Sequence, residues 1–140
     1  VIATDHAPHT KQEKVNTYLN APSGGPLVQH ALPAMMEKVH DGVIDMETLV
    51  EKMCHNPAIL FRVEDRGFLR EGYHADFVLV DPNRPWSVSK DNTLYKCGWS
   101  PFEGTLFKSR VTHTFVGGPL VYRDGHIDGS VKGSRLKFTR

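Results

Sequence analysis

An acid and two histidines lie close together near the start of this sequence. Asp5, His6 and His9 form its densest cluster of potential acid/base groups or metal ligands. Carboxylate oxygen and imidazole nitrogen are ligands that zinc accepts, and either group can move a proton during a reaction. Three such residues do not complete a zinc site by themselves. The alternative is that Asp5 and His6 belong to a surface turn, and for His6 the spacing favours a surface loop histidine.

The residues before Asp5 indicate how its side chain could be positioned. Residues 1–4 (VIAT) are apolar or prone to β structure, and a parallel strand covered on both faces is continuously apolar. In a (β/α)₈ barrel the chemistry lies where the strands end, at their C-terminal edge. The sequence therefore predicts a buried strand that delivers the Asp5 carboxylate to the rim of an active site.

His9 follows a proline and precedes a glycine-rich loop. Pro8 stiffens the backbone before His9, and residues 20–26 (NAPSGGP) favour a loop that can bring free backbone N–H groups to the same place. A histidine combined with backbone donors suits a small carboxylate. These residues predict an anion-binding loop near Asp5.

Helical periodicity dominates the residues that come next. Apolar residues recur every three or four positions over residues 27–40, and Pro33 indicates that the helix itself starts within this range. Asp45 can cap a second helix, which has the clearest periodicity in the chain. Asn56 followed by Pro57 repeats the start signal and predicts a short third helix.

Beyond about residue 64 the pattern changes to short β-prone runs separated by glycine and proline. The runs cover residues 77–80, 111–116 and 120–122. Gly117 and Gly118, between the last two runs, predict a β-hairpin over about 111–123, because such a turn needs positive φ. We therefore predict an α/β part over residues 1–64 and a small, mostly β part of sandwich type, with a C-terminal tail, over residues 65–140.

Composition and charge exclude several kinds of partner. The chain has 140 residues, 17 basic and 16 acidic groups and a net charge of +1, so no overall field recruits nucleic acid or an anionic membrane. No apolar run approaches the ~20 residues of a membrane span, and no secretory leader is visible. We expect a cytoplasmic protein, cut from a longer chain, with a basic tail that is solvated or faces a partner.

The remaining cysteines and histidines suggest no second site. Cys54 and Cys97 lack metal-ligand spacing, and we expect free, partly buried thiols without a disulfide. Six further histidines are expected to be packing or surface residues: His30, His40, His55, His74, His113 and His126.

Three stretches, taken in order, resemble a known family. They are TDHAPH at 4–9 with EK at 13–14 and APSG at 21–24, CGWSPFEG at 97–104, and the glycine-containing approach to FVLVD within 67–81. The first two resemble the last-strand signature and the C-terminal Ser/Thr-Pro-Phe-x-Gly stretch of the dihydroorotases in the amidohydrolase superfamily. The third resembles the entry into the small β-domain found across that superfamily. Related hydantoinases and allantoinases usually lack a histidine at the position of His9.

The resemblance implies specific roles. Asp5 would ligate metal at the end of barrel strand eight and act as the general acid/base, while a zinc-activated hydroxide, at a centre of two zinc ions, attacks the carbonyl carbon of a cyclic amide. His9 would hold the substrate carboxylate, and Ser23 and Gly24 would contact the same ligand largely through their backbone. Ser23 stands where another residue is common in the family, and His6 matches a position that is not a ligand.

The resemblance also implies that much of the site lies elsewhere. A barrel of this type needs ~250 residues, and the other metal ligands of the family are absent from these 140. We expect the C-terminal part of a zinc-dependent dihydroorotase, which converts dihydroorotate and N-carbamoyl-aspartate reversibly in pyrimidine biosynthesis. The chain would need the remainder of its own barrel and be inactive alone, and whether it forms a homo-oligomer is left open. The alternatives are another cyclic-amide hydrolase of hydantoinase or allantoinase type, a non-catalytic structural homologue, and, more remotely, an unrelated β-rich binding module.

Overall fold

The computed structural model describes residues 1–139, in which helices come first and strands follow. The helical elements are α1 (Lys11–Lys14), α2 (Ala31–His40), α3 (Met46–Val50) and α4 (Asn56–Leu60), with a 3-10 turn at Val28–His30, a π-helical turn at Glu51–His55 and a further 3-10 turn at Lys90–Asn92 among the strands. None of the helices in this part of the chain has the length and apolar character needed to cross a membrane.

Helix α2 begins later than the apolar periodicity does. The 3-10 turn occupies Val28–His30, and the α-helix starts at Ala31. Pro33 is buried in the first turn of α2, where its missing N–H removes no intrahelical hydrogen bond. The prediction that the helix starts within residues 27–40, and not at Leu27, is confirmed.

The predicted second and third helices form one continuous helical stretch. Helix α3 follows Asp45, whose side chain accepts a hydrogen bond from the Thr48 N–H at 2.7 Å, as expected of a cap. Asn56 was predicted to cap a new helix, but it has helical φ/ψ of −62°/−40°, and its amide donates to Glu51 at 3.2 Å. The predicted short helix is confirmed as α4, but the prediction that Asn56 caps it was wrong, because a π turn precedes Pro57 and accommodates the N–H that proline lacks.

The Asp45 cap makes a pH-dependent contribution to stability. Hydrogen bonds from Thr48 hold the pKa of Asp45 below its ordinary value of 3.8. A carboxyl whose native pKa is depressed stabilises the fold above its unfolded-state pKa, and this stabilisation is lost as the pH falls through the native pKa. We therefore expect Asp45→Ala to lower the Tm by a few degrees at neutral pH and by less as the pH drops below 3.8. Asp45→Asn keeps an acceptor and does not titrate, so it should lose less Tm than Asp45→Ala at neutral pH, and its Tm difference from the parent should also diminish as the pH drops below 3.8. A Tm loss in Asp45→Ala that is constant from neutral to acid pH would contradict the assignment.

The strands form one larger and one smaller antiparallel sheet. They are β1 (Phe77–Asp81), β2 (Trp86–Ser87), β3 (Leu106–Phe107), β4 (Arg110–Phe115), β5 (Leu120–Arg123) and β6 (His126–Ile127). The larger sheet has the order β1-β4-β5-β6, and β2 pairs with β3. The hairpin predicted over 111–123 is confirmed as β4 and β5, with Gly117 and Gly118 at φ of 61° and 104° in its turn.

The strand predicted over residues 1–4 does not form a ladder. Val1 to Asp5 pair with no other strand, and the first β-bridge is a single parallel one between His6 and Gly25. A strand needs a neighbour whose backbone satisfies its N–H and C=O groups. Residues 1–139 offer this segment only isolated partners, such as the Lys52 carbonyl, which accepts from the Ile2 N–H at 2.9 Å.

Side chains from both parts of the chain share the small core. The buried apolar residues are Met36, Leu49, Ala58, Val88 and Phe107. Helix α2 packs on β3, and at its end the His40 ring hydrogen-bonds the Ser109 hydroxyl at 2.7 Å. The helices thus rest on the first strands of the β part, while the domain boundary near residue 64 stays a prediction.

Two surface expectations need correction. Cys54 and Cys97 are both free thiols, but the structure has Cys54 exposed and only Cys97 partly buried. The tail is not wholly solvated: Phe138 forms an antiparallel bridge with Val63, and the Thr139 N–H donates to the Arg62 carbonyl at 3.0 Å. The tail therefore closes against the end of the helical stretch.

Candidate active site

Asp5 stands on strained backbone with a free carboxylate. Its φ is +46°, in the left-handed region that aspartate and asparagine tolerate better than most residues, at a cost of about 1 kcal/mol. The residue is exposed, and within residues 1–139 its carboxylate has no hydrogen-bond or ion-pair partner. Such a carboxylate is available to an external ligand or proton.

His6 has a structural task. Its Nδ1 accepts hydrogen bonds from the backbone N–H groups of Leu27 and Val28 at 3.1 and 3.3 Å, which leaves the ring proton on Nε2. The imidazole thereby satisfies free donors at the start of the 3-10 turn. Its ring centroid lies 5.3 Å from that of Tyr95. His6 thus joins the loop to the start of the 3-10 turn. This structural role is compatible with the expectation that His6 is not a metal ligand.

His9 is half-buried and held on both sides of its peptide. Its N–H donates to the Ala7 carbonyl at 2.9 Å, and its carbonyl accepts from the Trp99 indole N–H at 2.8 Å. On its C-terminal side, Thr10 and Glu13 form a reciprocal capping box that starts α1. The backbone and hydroxyl of Thr10 hold the pKa of Glu13 below its ordinary value. The imidazole thus projects from a segment with little freedom.

The loop at residues 21–26 lies directly against the segment from Asp5 to His9. The Ala7 N–H donates to the Gly25 carbonyl at 3.0 Å. Gly24 has φ of +81°, and a Cβ there would lie 2.6 Å from the Ala7 Cβ, so both conformation and space require glycine. The sequence-based expectation that this loop reaches the histidine segment agrees with these contacts.

Charge and exposure in this loop suit an anion. The Ser23 side chain is exposed and makes no hydrogen bond within residues 1–139, so it adds no internal contact. The Lys14 ammonium donates to the Pro22 carbonyl at 2.5 Å and is half-buried beside Ser23. A cation fixed next to exposed loop backbone favours a bound carboxylate.

A buried histidine near the loop was expected to be a packing residue, but its polar partners were not foreseen. His30 is 0% exposed, and its Nδ1 lies 3.0 Å from the Ser100 hydroxyl and 3.4 Å from the Tyr95 hydroxyl. Rings of Trp86, Phe102 and Phe107 surround it. Burial lowers the pKa of His30, because an apolar environment disfavours the charged form of the ring. The sequence signal for this cluster was the CGWSPFEG stretch, whose residues supply Ser100 and Phe102.

These residues do not hold a metal ion without others. Within residues 1–139 no group of three or more histidine, cysteine, aspartate or glutamate side chains is arranged to bind a metal. Catalytic zinc usually takes three protein ligands. As an exposed carboxylate, Asp5 could supply at most one of the ligands that such a metal needs.

Comparison with known proteins defines the class. The model of the amidohydrolase family matches residues 1–121, and the chain belongs to this family. It is 38% identical to the dihydroorotase of Pyrococcus furiosus over 136 residues, which cover 97% of this chain and 32% of that protein. It is 42% identical to the dihydroorotase of Halobacterium salinarum over 104 residues, 74% of this chain and 25% of that one. Among solved structures, the D-hydantoinase (dihydropyrimidinase) of a Thermus species is similar with a TM-score of 0.83 and 25% identity, covering 89% of this chain and 28% of that chain.

The similarity covers nearly all of this chain and a minor part of its relatives. The chain spans about a third of the length of the Pyrococcus dihydroorotase. The matched region includes the Asp5–His9 segment, the glycine loop and most of the strands. Membership of the amidohydrolase family is thus established for the chain, while the activity of the whole protein is a proposal.

Proposed function

We propose that this chain is the C-terminal part of a zinc-dependent dihydroorotase, which reversibly hydrolyses the cyclic amide of dihydroorotate to N-carbamoyl-aspartate. The observation that carries the proposal is the pairing of two loops: the Asp5–His9 segment and the glycine loop are hydrogen-bonded side by side. Membership of the amidohydrolase family and similarity to proteins named dihydroorotase support the same reaction class.

In this proposal Asp5 moves the proton. Hydrolysis of an amide needs a base that takes a proton from the attacking water and an acid that delivers one to the leaving nitrogen. One carboxylate can do both in turn if it reaches both atoms. Asp5 is suited to this because its carboxylate is exposed and engaged by no other group within residues 1–139.

Zinc would be shared between Asp5 and ligands from the remainder of the barrel, and when bound it supplies an activated water and a polarised carbonyl. The residues of this chain provide one of the ligands that the metal needs. We therefore propose that the chain by itself is inactive and that the rest of the barrel is its obligatory partner.

His9 and the glycine loop would hold the carboxylate of the substrate. The His9 ring can donate a charge-assisted hydrogen bond, and the exposed backbone at Ser23 and Gly24 can donate further ones. The Lys14 ammonium adds positive charge behind the loop. Four features thus converge on an anion, and dihydroorotate carries a carboxylate beside its ring.

A second candidate is a hydantoinase-type hydrolase acting on a ring without a carboxylate. The observation that favours it is the similarity in fold to D-hydantoinase, at a TM-score of 0.83. The two candidates share the role of Asp5 and differ in what His9 contacts. The choice between them rests on whether His9 recognises a charged group.

Replacing His9 separates the candidates. In the full-length protein that contains this chain, we expect His9→Ala to raise KM for dihydroorotate about 10- to 100-fold, since a hydrogen bond to a charged group contributes about 1.5–3 kcal/mol. Turnover of dihydrouracil, the ring without the carboxylate, should change little. Steady-state kinetics on both rings measure this.

The matched control is His74→Ala, which removes an exposed histidine of another loop and should alter neither KM. Equal KM changes for the two rings in His9→Ala, or a parent that prefers dihydrouracil, would favour the hydantoinase-type candidate. Absence of hydrolysis of either ring by the zinc-loaded parent would indicate a non-catalytic homologue.

A further inference from the structure

We propose that Trp99 is a positioning residue for His9 and thereby sets the affinity of the site for the carboxylate of its substrate. The inference rests on the proposed function, because it assigns His9 to that carboxylate. It starts from one contact: the indole Nε1–H of Trp99 donates to the His9 carbonyl at 2.8 Å across 90 positions of the sequence. The roles implied by the family resemblance and by the chemistry of the site do not include this hydrogen bond.

Within residues 1–139, Trp99 is the distant hydrogen-bond partner of the His9 backbone, which is otherwise restrained locally. Pro8 limits the backbone before His9, the Ala7 carbonyl accepts its N–H, and Thr10 caps the helix after it. These restraints are local, and the distant contacts of the segment with Gly25 and Leu27 act at Ala7 and His6, two and three residues before His9. The other link to residues 97–104 is the ion pair of Lys11 with Glu103, which is exposed at 3.7 Å and contributes little.

The segment that carries Trp99 is itself anchored on both sides. Before it, the Tyr95 hydroxyl accepts from the Gln29 N–H at 2.8 Å. After it, the buried Ser100 hydroxyl lies 3.0 Å from the His30 ring. Both anchors lead to the start of α2. The indole therefore presents its donor from a rigid base, as a group that orients a ligand-binding side chain must.

Loss of this donor should act on substrate affinity. An unpaired His9 carbonyl would release the peptide that carries the imidazole, and small displacements of a binding group weaken contacts that depend on geometry. Asp5 lies four residues upstream, and its adjoining residues are held by contacts with Gly25 and Leu27 that do not involve Trp99. The effect should thus appear in KM for the carboxylate ring and spare kcat.

The test uses Trp99→Phe in the full-length protein, which keeps an aromatic ring and removes the donor. We expect KM for dihydroorotate to rise about 3- to 10-fold, the range for one neutral hydrogen bond, with kcat unchanged within about twofold and with dihydrouracil turnover unaffected. In a His9→Ala background Trp99→Phe should add no further change, since the group that it positions is gone.

Trp86→Phe is the matched control, because the Trp86 indole also donates to a backbone carbonyl, that of Ser109 at 2.9 Å, away from His9. A merely structural role for Trp99 predicts similar kinetics for both variants, and that result would overturn the inference. So would a KM rise that persists in the His9→Ala background. If His9→Ala itself leaves KM unchanged, the proposed function fails; if His9→Ala raises KM and Trp99→Phe does not, only this inference fails.

Discussion

Asp5→Asn in the full-length protein should lower kcat about 10²- to 10⁴-fold, the contribution typical of a general acid/base, while KM changes little. Asparagine has the size of aspartate and is the other residue that tolerates the left-handed φ of +46° at this position. The substitution therefore removes the proton-accepting charge and keeps the backbone. Steady-state kinetics with dihydroorotate, with the Tm as a check of folding, measure the effect.

The chain offers a matched control for this substitution. Asp124 has the same φ of +46° and is exposed in the turn between β5 and β6. Asp124→Asn therefore makes the same chemical change on the same backbone conformation at a place without proposed chemistry, and kcat should stay at the parent value. Zinc content of the purified protein gives a second readout, since loss of a ligand should also reduce bound metal. Parental kcat and zinc content in Asp5→Asn would refute both roles of Asp5.

Gly67→Ala should lower the free energy of unfolding by roughly 2–5 kcal/mol, from the cost of a left-handed residue together with overpacking. Gly67 has φ of +81°, and an added Cβ would overlap the Ala58 side chain and lie 2.9 Å from the Cys54 carbonyl oxygen. Both neighbours belong to the helical stretch, whose backbone has little room to shift. Denaturant unfolding of the purified protein, or its Tm, gives the loss.

Gly72→Ala separates the two causes. Gly72 has a similar φ of +84°, but nothing lies within 4 Å of an added Cβ. This variant should therefore show only the conformational cost, about 1 kcal/mol. If the two alanine variants lose equal stability, close packing of Gly67 on Ala58 and Cys54 contributes nothing, contrary to the expectation.

Local patterns predicted the elements whose causes are local. The cap at Asp45 and the hairpin at Gly117-Gly118 follow from side chains and dihedral angles within a few residues. The start of α2 was likewise implied by Pro33. By contrast, the strand expected at residues 1–4 depends on neighbouring strands, which residues 1–139 do not place beside it. The π turn before Pro57 lets the helix continue although proline has no N–H to donate. The periodicity of apolar residues does not indicate such a turn.

In the candidate site, too, some features could be predicted from the sequence and others could not. Asp5, His9 and Gly24 could be named from residue types, spacing and family resemblance, and the structure brings their two loops together. That His6 would accept two backbone hydrogen bonds, or that Trp99 would reach His9, could not be predicted. Such contacts join residues that are distant in sequence and depend on how helices and sheets pack.

The bond between Trp99 and His9 also has a consequence for biosynthesis. Ribosomes add about 5–20 residues per second, so the 90 positions between the two residues correspond to about 5–18 seconds of translation. During that interval the nascent His9 segment has its local turns but lacks its distant support. Contacts of such long sequence separation also form slowly, because closing the chain costs entropy before the contact is gained. We therefore expect the His9 segment to be among the last parts of this chain to mature, after the helices.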